Sequence, residues 1–380
     1  MNDWKQTQFG KEYDAFRQEL DDYYAAYPTD VSALEQELDE KSRLQPQAGA
    51  MEKKTWIYEL AAEKCRVKLF RHCPFYFEVD TGAPRNLAGS CFPPIPGLGS
   101  WLMRRDTSGL EQEFQNWIAP YVQEDALNST MYVDCAHHAM GVGNVLRYGL
   151  RGLQRQAQAR LQTEKDVEKQ TFLRCVIRAE DAVMRLCARF ADEAERLCGT
   201  ERDPVVQARL ARIAISARRC PAEPAETFFE ALNTMLLLKE LGNGLESMGF
   251  AILGHVDRVL APYYARDVQL GRLTAAQAQE LVYWFCAMTD AKWDLSQALY
   301  GTNTAMSIGG CDENGTPVFN DITRWVLQCY LDCGLINPKV QARFAPDAPE
   351  EYYQLVAQLA ASGRNVLSVF NDRTIIAAQM

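Results

Sequence analysis

Few residues of this chain combine reactive side chains with suggestive spacing. Two of its four histidines are adjacent, His137-His138 in "CAHHAMGVGNVLRYGL". An imidazole at a substrate can exchange a proton near neutral pH. Arg343 lies in "KVQARF", on the polar side of an alternation with Val340, Ala342 and Phe344. Facing an interior, its guanidinium suits a carboxylate through two parallel hydrogen bonds; facing outward, it pairs with a helix glutamate. The sequence leaves both sides open. Ser247 in "LESMGF", and Asn303 and Thr304 ahead of "AMSIGG", could hydrogen-bond a substrate. Turn residues before a strand are the equal alternative for the latter two, and Glu246 beside Ser247 could cap or pair. Cys311 follows Gly310 directly. It reads as a small apolar loop residue ahead of a substrate-facing thiol. Cys329 and Cys333 share a helix face and read as core rather than metal ligands. His255 and Asp257 in "GHVDRVL" read as structural residues at a helix start. GxSxG, a Walker loop and a metal-spaced His/Asp cluster are absent from the sequence.

The elements that must position these groups alternate in the second half. "FAILG" (250–254) and "TAMSIGG" are short apolar runs, "KVQARF" alternates, and "NVLSVF" follows. Between them lie helical stretches, one opened by Thr274 with Gln277, one by Asn320-Asp321 and one by Pro349. Strand and helix alternating with short connections predict parallel strands with crossover helices. Gly309-Gly310 then marks a strand end, where ligands gather in such folds, or simply a bulge; Asn314-Gly315 marks a tight turn. Earlier, Ser32 with Glu35 suggests a capping box. The Gly/Pro-rich stretch from about Cys73 to Thr107 predicts irregular structure. No Gly or Pro falls between Gly152 and Gly199, and Leu173, Val176, Val183, Cys187 and Phe190 in the second half of that run predict an amphipathic helix there; Asp203-Pro204 opens the next, and Gly242 should stop the one after.

A net charge of −10 across 380 residues argues against nucleic acid as partner. The longest apolar run near Met235, "MLLL", is too short for a membrane span, and no secretory leader is visible at the start. Twelve scattered cysteines without a CxxC read as reduced thiols in a cytoplasmic protein.

Five segments occur in one order: "RCPAEPAETFFEALNTMLLL", "LESMGFAILGHVDRVLAPYYARDVQLGRLTAAQAQELV", "TAMSIGGCDENGTPVFNDIT", "NPKVQARFAPDAPEEYY" and "SGRNVLSVFNDRTII". Together with "CAHHAMGVGNVLRYGLRGL" they resemble the glycyl radical enzymes, the pyruvate formate-lyase-like group. The resemblance is carried by residues 132–380 and implies the front of a ten-stranded α/β barrel. Residues 1–131 are expected to form a helical, loop-rich N-terminal shell. His137, with His138 as competitor, matches the family's cavity histidine. Ser247, Asn303, Thr304 and Arg343 become candidate substrate contacts. The chain departs from the family at Gly141 and Val142, where acidic and aromatic residues are frequent.

The resemblance also implies a radical stored on a glycine of an Arg-Val-x-Gly loop. An activating enzyme using S-adenosylmethionine and an iron–sulfur cluster installs it. A cysteine with a glutamate two residues on does the chemistry, soon after a segment like "FNDRTIIAAQM". With neither expected among these residues, no catalytic residue, directly bound cofactor or metal is assigned. The expectation is the N-terminal portion of a radical C–C, C–O or C–N lyase, dehydratase or formate acetyltransferase-like enzyme, inactive alone. Its partners would be a C-terminal half or complementary chain, the activating enzyme and further copies of itself. The alternative is a non-catalytic half-barrel scaffold or interaction protein.

Overall fold

The computed structural model describes residues 4–26, 30–83, 97–106, 108–123, 139–246, 252–292 and 305–379. Three helices begin the chain: α1 (Gln8–Ala25), α2 (Ser32–Leu44) and α3 (Ala50–Lys64). A two-residue antiparallel ladder follows, β1 (Val67–Lys68) with β2 (Glu78–Val79). The predicted irregular stretch contains a short helix, α4 (Trp101–Asp106), before α5 (Ser108–Gln123). Trp101 is almost fully buried, and that burial holds a helical turn the Gly/Pro content did not suggest.

The middle of the chain is helical: α6 (Val142–Thr163), α7 (Val167–Cys198), α8 (Pro204–Arg219) and α9 (Phe228–Glu246). Asp166 caps α7 by accepting from the Glu168 and Lys169 amides, and Asp203 caps α8. Two local expectations fail for identifiable reasons. Ser32 lies inside the first turn of α2 rather than capping it, and its amide donates to Asp30 instead. Gly242 does not stop α9, which runs on through Gly244. Nearly all of α9 is buried, and packing on every side outweighs the roughly 1 kcal/mol cost of a helical glycine.

The last part alternates as predicted. It runs β3 (Ile252–His255), α10 (Val256–Gln269), α11 (Ala275–Ala291), β4 (Ala305–Gly309), α12 (Asp321–Cys333), β5 (Lys339–Phe344), α13 (Glu350–Ala361), β6 (Leu367–Asn371) and α14 (Asp372–Gln379). All strand pairings are parallel, in the order β3-β4-β5-β6. Ala139 adds a parallel bridge to Ile252 on the far side of β3. All three predicted helix starts are found: Thr274 and Gln277 form a capping box on α11, the Asn320 side chain caps α12, and Pro349 directly precedes α13. β4 is buried at every residue, as befits a strand between two others. The N-terminal helices are bound to this part rather than separate from it. Phe9, Tyr13 and Phe16 of α1 pack edge-on around Trp284 of α11, with ring centroids 5.0, 6.3 and 5.6 Å away. Among the described residues, no helix is long and apolar enough to cross a membrane.

Candidate functional site

Parallel strands bring their carboxyl ends to one edge, and here that edge collects the polar residues. β4 ends in Gly309-Gly310, both at positive φ (72° and 76°). A methyl group on Gly309 would sit 2.3 Å from the Tyr352 hydroxyl; one on Gly310 would sit 2.3 Å from an Asp372 carboxylate oxygen. Both glycines therefore allow close approach as well as an unusual backbone. The Asn314-Gly315 pair makes the ordinary tight turn, organised by Asp312, which accepts from the Asn314 and Thr316 amides.

The backbone of this strand end is fully bonded. The Gly309 amide donates to Asp257 Oδ2 at 2.7 Å, and its carbonyl accepts from Arg258 Nη2 at 2.7 Å. The Gly310 amide donates to the Arg343 carbonyl at 2.7 Å, and the Cys311 amide to Asp372 Oδ2 at 2.8 Å. Asp257 is completely buried and also accepts from the Thr323 hydroxyl at 2.9 Å. It thereby joins the starts of α10 and α12 to the end of β4. Its other oxygen, Oδ1, is buried with no hydrogen-bond partner. Burial lifts its pKa to about 6, with the Gly309, Thr323 and Arg258 contacts pulling the other way.

Arg343 is half-buried on the face shared with Gln341 and Ser307. Its Nε donates to Asp372, and its Nη1 donates to His255 Nε2 at 3.1 Å. Its carboxylate partner is thus the buried Asp372 at the start of α14, not a glutamate on an outer helix. A guanidinium cannot accept, so His255 Nε2 must, and the ring proton is on Nδ1. Burial, then Arg258 and Arg343, depress the His255 pKa to about 4, so the ring is neutral. Nδ1 is buried without a partner. His255 and Asp257, read from sequence as helix-start residues, are therefore members of the cluster.

Cys311 is half-buried beside Asp372, and its thiol pKa is raised by burial and then by that carboxylate. Gly310-Cys311-Asp312-Glu313 itself spells Gly-Cys-x-Glu, ahead of the position where the resemblance puts that segment. In the structure Glu313 is exposed on the turn, and the carboxylate that meets Cys311 is Asp372. Cys329 is fully buried in the core, with Cys333 partly buried against it. His137, His138, Ser247, Asn303 and Thr304 lie outside the described residues. Asp372 was missed altogether, although "FND" directly after an apolar strand is the kind of signal that marks a polar strand end.

The family profile described as "Pyruvate formate lyase-like" matches residues 101–380. The chain belongs to the pyruvate formate lyase-like family, the glycyl radical enzymes. It is 28% identical over 250 residues to isethionate sulfite-lyase from Desulfovibrio desulfuricans, covering 61% of this chain and 30% of that one. A glycyl radical enzyme from Archaeoglobus fulgidus superposes with a TM-score of 0.72 at 21% identity, over 97% of this chain and 52% of that one. A structure describing 1,2-propanediol dehydration in Roseburia inulinivorans gives 0.76 at 19% identity, over 90% and 46%. The chain thus spans about a third of the curated relative and about half of the solved structures. The fold is a helical shell with part of the α/β barrel of these enzymes. The structural likeness takes in the N-terminal helices, which the sequence resemblance did not reach.

Proposed function

We propose that this chain forms the front portion of a glycyl radical lyase or dehydratase acting on a small, hydroxyl-bearing substrate. The observation that carries this reading is the family match over residues 101–380. The names of its relatives, a sulfite-lyase and a propanediol dehydration enzyme, favour elimination over acyl transfer. No Arg-Val-x-Gly loop occurs in the sequence, so no glycine here fits as the radical's seat, and no step is assigned to it. A C-terminal half or complementary chain would carry that glycine and the hydrogen-abstracting cysteine, and a radical activating enzyme would be a partner, in the cytoplasm. On this side of the cavity, His137, Ser247, Asn303, Thr304 and Arg343 are the proposed substrate contacts. The neutral Nδ1–H of His255, buried and unpartnered, suits a substrate oxygen next to Arg343.

The test is anaerobic co-expression of this chain with a polypeptide carrying the later catalytic segments, together with the cognate activating enzyme. A co-purifying complex with a glycyl radical signal by electron paramagnetic resonance is expected. A complex that forms but never gains the signal would turn the reading to a non-catalytic scaffold.

A further inference from the structure

α8 places Val205, Ala208, Arg209 and Arg212 on one side, at helical steps of three and four. That side forms a wall of a cleft of about 390 Å³, closed by the start of α1 and the first half of α11. Three arginines line the cleft, Arg209, Arg212 and Arg272, against one carboxylate, Glu280. This local excess of positive charge runs against the net −10 of the chain. The floor is apolar, with Pro74, Leu273, Leu281 and Trp284.

The three arginines differ in what they meet. Arg209 is buried; it donates to Glu12 and, at 2.6 Å, to the Arg71 carbonyl. Arg272 lies 3.6 Å from Asp267. Arg212 meets no carboxylate or other hydrogen-bond acceptor among the described residues. Its guanidinium instead lies over the Phe229 ring, 4.4 Å from the centroid. Elsewhere Arg219, Arg324 and Arg343 each pair with a carboxylate. Arg212 reaches solvent, yet desolvation by the surrounding protein, then Arg209, lower its pKa to about 10. It remains charged at neutral pH, with its fork of donors unused and its plane held by the aromatic ring. Gln277 adds a donor: its Oε1 accepts from Thr274, which leaves Nε2 without a partner among the described residues. Glu280 is tied to α1, accepting from the Gln8 amide at 2.9 Å.

We propose that this cleft binds a phosphate monoester carried on a compact apolar body. Guanidinium forks suit phosphate oxygens, and two arginines that repel each other favour a doubly charged head over a single carboxylate. The volume lies in the range of about 300–1,000 Å³ of small-molecule pockets, more than a bare phosphate fills, and the apolar floor supplies the rest of the contact. The lining comes from residues 8–284 and includes no strand residue, so this inference stands apart from the catalytic reading.

Isothermal titration calorimetry of the 380-residue chain with phenyl phosphate, inorganic phosphate and benzoate tests it, in low-salt buffer free of other phosphate. Phenyl phosphate is expected to bind one-to-one. It should bind at least about tenfold tighter than inorganic phosphate, which lacks the apolar body, and than benzoate, which lacks the second charge. Arg212→Gln should weaken phenyl phosphate at least about tenfold, and Arg212→Lys nearly as much, since an ammonium keeps the charge and loses the fork. Glu280→Gln keeps an acceptor for the Gln8 amide, removes the opposing charge and should tighten binding about threefold. Arg202→Gln, at an exposed arginine outside the cleft, should leave binding unchanged. Far-UV circular dichroism checks folding. If Arg212→Gln does not fold, Glu280→Gln decides: tighter binding supports the site and unchanged binding overturns it. A wild type that does not bind phenyl phosphate, equal affinity for the three compounds, or an equal loss in Arg202→Gln and Arg212→Gln also overturns it.

Discussion

Asp257 and His255 lie two residues apart, yet their burial acts on stability in opposite directions. The folded pKa of Asp257, about 6, lies above its ordinary 3.8. Between those values the native state binds more protons than the unfolded chain, so stability falls as pH rises through the window. A two-unit shift corresponds to about 3 kcal/mol. His255 is depressed from 6.5 to about 4. Here the unfolded chain binds the extra proton, so stability rises with pH over nearly the same range. The two slopes partly cancel in the wild type. Asp257→Asn keeps acceptors for Gly309 and Thr323 while removing the first slope. Relative to wild type it should gain stability as pH rises from about 4 to about 6, by up to about 3 kcal/mol. His255→Gln should do the reverse, losing ground to wild type over that window. Urea unfolding at both ends of the range reads the two differences, and a parallel offset for either variant would refute its assigned protonation.

At the scale of elements, the end of β4 shows why equal residue types differ in consequence. Gly310→Ala forces a methyl group against the Asp372 carboxylate and Arg258 at a positive φ, and should cost about 3 kcal/mol. Gly315→Ala also meets a positive φ but has nothing within 4 Å, and should cost about 1 kcal/mol. Denaturant midpoints of the two variants check the contrast; equal losses would mean that backbone strain alone governs the turn. The elements were legible where their signals are local. Thr274 and Gln277 cap α11 with groups three residues apart, and Val340, Ala342 and Phe344 mark a strand by period alone. The same locality explains the misses. Asp30 competes for the Ser32 amide, and the continuation of α9 past Gly242 depends on neighbours that no window along the chain contains. That Gly309-Gly310 ends a strand could be read; that Tyr352 and Asp372 press against it could not.

Across the whole molecule, long-range polar contacts were the least legible part. The Arg343–Asp372–Cys311 cluster joins three separate strand ends, so sequence proposed Arg343 and left its partner unseen. The attachment of the N-terminal shell is a clearer case. Lys292, at the end of α11, is 4% exposed and lies 2.5 Å from Glu78 of β2 and 3.0 Å from Glu240 of α9. Tyr24 of α1 donates to the same Glu78 at 2.9 Å. Burial alone would strip the Lys292 proton, but the two carboxylates outweigh it and hold its pKa above the ordinary lysine value. Such a cluster adds little net stability as a whole, since desolvation offsets attraction, but removing one member leaves a buried charge unpaired. Lys292→Met should therefore cost about 3–5 kcal/mol, well beyond its loss of packing. Replacing Glu78 as well, as Lys292→Met with Glu78→Gln, should recover a substantial part of that loss, because Glu240 keeps its buried partner Lys239 at 2.6 Å and no charge is then stranded. Hydrogen exchange localises the effect: in Lys292→Met the amides of α1 and β2 should lose protection together with those of α11. If the N-terminal amides kept their protection while α11 loosened, the cluster would be a local feature of the helix and not the clasp between the shell and the sheet-bearing part.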